Sequence, residues 1–196
     1  MSHFNQAANN WDSQEKKDLM KTLAKSTIEK LSLSKKIDLL DVGCGTGLFC
    51  LEFLDYASSI TGVDTSRGML EVFDSKTKEL PFVKSLELDL ETKNLEEKFD
   101  LIISSMTFHH LDEPGKMLVK LAAMLKAGGK IAIVDLEEED GSFHPRPKEM
   151  GVKHFGFSNE TLKSWAQDIN LNFSVCTINT KEKNGKEYNQ FLAIYE

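Results

Sequence analysis

Ile37-Asp38-Leu39-Leu40-Asp41-Val42-Gly43-Cys44-Gly45-Thr46-Gly47 decides the fold. A short apolar run ends at an acid and passes into three alternating glycines. The mostly apolar segment Leu48 to Tyr56 follows at once. Such a run bounded by glycine predicts a buried strand, and the segment after it a buried helix. Glycine in the turn between them permits positive φ and lets backbone approach a ligand closely. The predicted helix would then turn its free N–H groups toward that ligand. The dinucleotide fingerprint G-x-G-x-x-G and the phosphate loop G-x-x-x-x-G-K-S/T both differ from the G-x-G-x-G found here. From Ile37 to Ser66 there is no Lys or Arg, but there are Asp38, Asp41, Glu52, Asp55 and Asp64. Asp41 stands where a polyphosphate would be repelled, so a cationic ligand without phosphate fits this field better.

Working outward, the 196 residues suit one domain with at most a small appendage. The composition, 40% hydrophobic and 28% charged, is that of a globular protein with a sizeable core. A net charge of −7 argues against a global nucleic-acid footprint, and no apolar run approaches a membrane span. Neither a secretory signal nor a disulfide or metal pattern is expected. Cys44, Cys50 and Cys176 suit a reducing cytoplasm.

Asp12-Ser13-Gln14-Glu15 reads as a capping box with Asp12 as N-cap. Leu19, Met20, Leu23, Ala24, Thr27, Ile28 and Leu31 then recur at helical spacing. A second strand ends at Asp64, and Ser66 caps the helix after it. A third strand runs from Val83 to Asp89 and a fourth from Phe99 to Met106. Asp112 and Pro114 open a helix carrying Met117, Leu118, Leu121 and Leu125, stopped by Gly128-Gly129. Lys130 to Leu136 is the fifth strand. Alternation of strands and helices implies a parallel sheet with helices on both faces. After the irregular segment 141–156, Ser158 caps one more helix. Two strand-like runs, 173–180 and 188–195, are joined through Asn184-Gly185, a strong hairpin signal.

Asp41-Val42-Gly43-Cys44-Gly45-Thr46-Gly47 closely resembles the first motif of the class I S-adenosylmethionine-dependent methyltransferases. The resemblance covers residues 36–196 and implies a Rossmann-like α/β fold. Its sheet would be seven-stranded and mostly parallel, closed by a C-terminal antiparallel hairpin. Residues 1–35 are similar to the lid segment and helix that small-molecule members place over the pocket. The cofactor would be S-adenosylmethionine, with S-adenosylhomocysteine as product. The resemblance places Gly43, Cys44 and Gly45 under its methionine half, with Asp41 near the ammonium. It sets Asp64, within Val63-Asp64-Thr65-Ser66, on the ribose hydroxyls, and Met69 against adenine or ribose. Asp89 and Leu90 would meet the adenine, and Ser105 and Met106 the departing methyl. Trp11, Phe108, His109 and His110 would line the acceptor pocket, with His110 either the proton acceptor or a wall residue whose loss raises KM while kcat holds. Methyl transfer to a small molecule is the implied activity, in a monomer or homodimer without nucleic acid, membrane or metal. The alternatives are a protein methyltransferase and a cofactor-binding protein without turnover.

Overall fold

Successive side chains of a strand point to opposite faces, so a strand apolar at nearly every position must be covered twice. The computed structural model, which describes residues 3–196, meets that demand with helices on both sides of one sheet. The first two residues of the expected 1–35 segment lie outside the described residues. The strands are β1 (Ile37–Val42), β2 (Ala57–Asp64), β3 (Val83–Glu87), β4 (Phe99–Ser105), β5 (Leu125–Leu136), β6 (Phe173–Lys183) and β7 (Lys186–Tyr195). They lie in the order β3-β2-β1-β4-β5-β7-β6. The pairs among β1 to β5 are parallel, whereas β7 runs antiparallel between β5 and β6. The expected seven-stranded architecture and its closing hairpin are both present. The hairpin turns at Asn184 (φ 53°) and Gly185 (φ 73°), the two positive angles that a type I′ turn requires.

The helices are α1 (His3–Ala7), α2 (Gln14–Leu31), α3 (Arg67–Thr77), α4 (Pro114–Ala123) and α5 (Asn159–Ile169). Leu39, Leu101, Ile103 and Val134 face one core with Leu23 of α2 and Phe73 of α3. Leu40, Ile102, Ile131 and Ile133 face the other, with Leu118 of α4 and Leu162 of α5. Each such fully buried aliphatic side chain contributes about 1.5–3 kcal/mol relative to exposure.

Several local expectations need correction. The helix expected over Leu48 to Tyr56 is only a 3-10 turn, Cys50–Phe53, so the glycine turn has no long helix behind it. Phe49 and Phe53 still enter the core; burial drives that apolar run without a regular helix. Ser13, not Asp12, caps α2 by accepting from the Lys16 N–H at 3.4 Å. Asp12 is engaged elsewhere, as described below. β3 ends at Glu87 and leaves Asp89 in the following turn. α4 ends at Ala123, so Leu125 opens β5 rather than closing the helix. Its N-cap position, Glu113, makes no side-chain cap, and Pro114 alone sets the start. Ser66 and Ser158 do cap α3 and α5 through Met69 N and Thr161 N.

Candidate active site

The strand order reverses between β1 and β4, and open α/β sheets bind ligands beyond the carboxyl ends at that point. A cavity of about 790 Å³ lies there. A second hollow of about 670 Å³, between the starts of α4 and α5, contains none of the expected residues.

The glycine turn forms one wall. Gly43 N and Cys44 N donate to Val63 O at 2.8 and 3.1 Å, which ties the turn to β2. Gly43 has φ +74°, and an added Cβ would lie 2.3 Å from Thr107 Cγ2 and Oγ1. Only glycine therefore lets the end of β1 approach the end of β4. At Gly45 an added Cβ would meet nothing within 4 Å, so backbone faces open space. Behind the turn, Thr46 Oγ1 donates to Asp12 Oδ1 at 2.5 Å, and Lys76 pairs with the same carboxylate. Asp12 is thus a clasp between the N-terminal segment, the glycine turn and α3. Asn5 Oδ1 adds a second clasp, accepting from Ser66 Oγ and Gly68 N at 2.8 and 2.9 Å.

Three expected acids reach the cavity in different states. Asp64 accepts from Gly45 N through Oδ2 and from Ser66 N through Oδ1, at 2.8 and 2.7 Å. Burial raises its pKa, although N–H groups of Ser66, Gly45 and Thr65 oppose the shift. Each oxygen keeps a lone pair. Asp41 is 1% exposed, and its Oδ1 has no partner. Burial pushes its pKa up to about 7; the Cys50 thiol opposes that shift and the Asp64 charge adds to it. Asp89 accepts from Glu91 N and Thr92 Oγ1, both at 2.9 Å, so its own turn engages both oxygens. Thr65, Met69 and Leu90 also line the cavity, as do Gly43, Cys44 and Gly45. The Cys44 and Cys50 thiols are raised well above their ordinary value by burial, which leaves them unreactive.

The opposite wall begins at the end of β4. Met106 lines it in the left-handed region (φ 53°), a conformation costing a side-chain-bearing residue roughly 1–2 kcal/mol. Ser105 lies beside it, its Oγ 3.7 Å from Met20 Sδ. A 3-10 turn, Phe108–His110, follows. Phe108 does not line the cavity. It is fully buried behind it, against Trp165 at 6.3 Å between ring centroids. The next residue points the other way, because a tight turn sends neighbours to different sides.

His109 and His110 both line the cavity but differ in chemistry. His109 Nδ1 donates to Asp135 Oδ1 at 2.7 Å, and its backbone N donates to Oδ2 at 3.2 Å. Its Nε2 is buried without a partner. Burial alone would raise Asp135, but His109 and the Leu136 N–H outweigh it, and the carboxyl titrates below its ordinary value. An ionised Asp135 keeps the proton on Nδ1 and the lone pair on Nε2. His110 instead donates through Nδ1 to Gly151 O at 3.0 Å and meets the Phe4 ring edge-on. Burial and the neighbouring His109 push it down to about 4. His144 closes the cluster at 4.9 Å from His109 and is likewise pushed down to about 4 by burial. Trp11 lines the mouth, where Lys16 Nζ sits 3.1 Å from its ring centroid.

The segment 141–156 is a pocket wall by sequence, and His144 does line the cavity, but the pairing of Asp135 with His109 was not expected. Asp135 had a visible signal: like Asp41 and Asp64, it is an acid at the carboxyl end of an apolar strand. For His144 the signal is its place in a long irregular segment after β5, which carries no periodicity to say which side chain enters the cavity. Among the described residues, no group of three or more His, Cys, Asp or Glu is placed to hold a metal ion, and no helix is long and apolar enough to cross a membrane.

Residues 40–133 match the methyltransferase domain family. Over 134 residues the chain is 36% identical to malonyl-[acyl-carrier protein] O-methyltransferase of Acetivibrio thermocellus, spanning 66% of this chain and 46% of that protein. The chain spans about half the length of the curated relatives it matches. A chain in the complex between the Haloferax volcanii Trm112 methyltransferase activator and a methyltransferase superposes with a TM-score of 0.83. That match has 16% identity and covers 100% of this chain and 97% of the other. A SAM-dependent methyltransferase from Aquifex aeolicus superposes at 0.71, with 20% identity and 97% coverage of both chains. Residues 40–133 thus match a methyltransferase domain, and the strand order and the superposed structures give the whole chain the fold of the S-adenosylmethionine-dependent methyltransferases.

Proposed function

We propose that this chain transfers a methyl group from S-adenosylmethionine to a hydroxyl or amine of a small-molecule acceptor. The reading rests on one observation: a single cavity is lined by two residues that each keep a buried, unpartnered polar atom, Asp41 Oδ1 and His109 Nε2. A cation suits the first and an acidic proton the second. The residues present fit the cofactor. Asp41 would take its ammonium, and the open backbone at Gly45 its methionine half. Lys16, beside the Asp12 clasp, is suited to its carboxylate. Asp64 offers its remaining lone pairs to the ribose, while Met69, Asp89 and Leu90 border the adenine. When bound, the cofactor supplies an electrophilic methyl. The protein positions the acceptor, excludes water with the N-terminal segment as lid, and offers His109 Nε2 to the departing proton. The relative's name, an O-methyltransferase, supports an oxygen acceptor.

Calorimetric titration tests cofactor binding directly. Transfer of label from methyl-tritiated S-adenosylmethionine into the small-molecule fraction of a metabolite extract tests turnover. Binding with label in that fraction is expected; binding with label only in protein would sink the small-molecule reading.

The pH dependence of binding follows from Asp41. Its pKa is raised in the fold, so the neutral form is favoured and stability declines as pH rises from the ordinary carboxylate value toward about 7. A bound ammonium needs the charged form. Affinity should therefore weaken by up to about tenfold per pH unit below about 7, and Asp41→Asn should flatten that slope. Calorimetry between about pH 5.5 and 7 avoids titrating the cofactor's own amino group. A flat profile in the unaltered protein would remove Asp41 from the ammonium site.

A further inference from the structure

The cavity is acidic on its β1–β3 side, where Asp41, Asp64 and Asp89 end or follow strands. On the β6 side it is basic. β6 runs parallel to β1–β5, so its last residues also reach the carboxyl edge. Strand alternation puts Lys181 and Lys183 on one face, and both line the cavity. Lys181 is neutralised by Glu15 at 2.7 Å. Lys183 is half-buried, and no carboxylate of the described residues lies within 4.0 Å of it. The Phe143 carbonyl accepts one of its donors, and the Phe143 ring lies 5.4 Å from Nζ. Those contacts aim the ammonium; the nearby Glu15 carboxylate, held by Lys181, also feels the Lys183 charge, so two lysines share one exposed carboxylate and a positive charge is left over. The histidine wall does not supply a substitute, because His110 and His144 are held neutral by burial. His144 Nδ1, buried and unpartnered, lies within reach of the Lys183 field.

We propose that Lys183 binds an anionic group of the acceptor, a carboxylate or a phosphate, on the β6 side of the cavity. This rests on the methyltransferase reading above. The acceptor would then carry two features: an anion at Lys183 and a hydroxyl or amine near His109. Charge on the acceptor would also keep it out of the acidic cofactor half.

The test uses 4-hydroxybenzoate, 4-hydroxyphenyl phosphate and neutral 4-hydroxybenzamide as probes. Each is titrated calorimetrically into the protein saturated with S-adenosylhomocysteine. At least one anionic probe is expected to bind about tenfold or more tightly than the amide, and the better of the two identifies carboxylate or phosphate. Lys183→Met should abolish that preference and Lys183→Arg retain it, with S-adenosylhomocysteine affinity unchanged in both. Equal affinities, undetectable binding of both anions, or a preference surviving in Lys183→Met would overturn the proposal. So would loss of S-adenosylhomocysteine affinity in Lys183→Met, which would assign this lysine to the cofactor. If S-adenosylhomocysteine fails to bind the unaltered protein, the methyltransferase reading fails instead, and the same probes titrated alone still decide whether Lys183 holds an anion.

Discussion

His109→Ala is expected to lower kcat by about 10²–10⁴-fold, the usual contribution of general acid–base catalysis. S-adenosylmethionine affinity should be almost unchanged, because the residues assigned to the cofactor lie on α2, on α3 and on or just after β1–β3, not on the turn after β4 that carries His109. The basis is geometric. His109 Nε2 is buried without a partner, while Nδ1 is held by Asp135 at 2.7 Å. Asp135 acts only through His109, as a positioning residue. In Asp135→Asn an amide replaces the ionised acceptor and favours the wrong tautomer, which costs about 10⁴-fold in the serine-protease triad. The pH–rate profile separates this from a packing defect. Loss of the base removes the limb that rises with pH, whereas a structural defect lowers the whole profile. His110→Ala should behave differently. With its pKa pushed down to about 4 and Nδ1 donating to Gly151 O, His110 is a weak base in a wall position. Its removal should raise KM while kcat holds, the pattern of lost uniform binding. The measurement requires the acceptor found in the labelling experiment. A full kcat in His109→Ala, or a kcat collapse confined to His110→Ala, would reverse the assignment.

Asp64→Ala should weaken S-adenosylmethionine binding by about 100-fold, the loss of roughly one charge-assisted hydrogen bond at its full strength or of two weak ones. The carboxylate does more than await a ribose. It holds Gly45 N at 2.8 Å and Ser66 N at 2.7 Å, so its removal loosens the glycine turn as well. The melting temperature should change little, since removing a buried acid also relieves the burial that raises its pKa. Asp89→Asn should cost less than Asp64→Ala. Its oxygens already serve Glu91 N and Thr92 Oγ1 in a local turn, and an amide oxygen can keep one of those bonds. Calorimetry on folded variants ranks the two. An affinity within about threefold of the parent for Asp64→Ala, or a greater loss for Asp89→Asn, would show that the adenosine lies elsewhere.

What could be read from residues alone follows from local periodicity and steric rule. Ile37–Val42 and Phe99–Ser105 carry consecutive apolar residues, Leu39-Leu40 and Leu101-Ile102-Ile103, which demand two covering layers, and Asn184-Gly185 demands a hairpin. The alternating glycines after Asp41 need no tertiary information to mark a turn that backbone must line. Acids at strand ends, Asp41 and Asp64, were legible for the same reason. The Leu48 to Tyr56 segment was misread because its apolar pattern reports burial, and a 3-10 turn can bury Phe49 and Phe53 as well as a helix can. Asp12 was misread because a carboxylate near a helix start has a local use, capping, that Thr46 and Lys76 outcompete from distant parts of the chain. Only the tertiary structure could separate His109 from His110. Adjacent and chemically identical, they differ in the partner of Nδ1, Asp135 for His109 and Gly151 O for His110, and that is set by a tight turn meeting β5. Lys183 belongs to the same class. A lysine near a hairpin looks solvated in sequence, and it enters the site because β7 inserts between β5 and β6 and sends the end of β6 to the carboxyl edge.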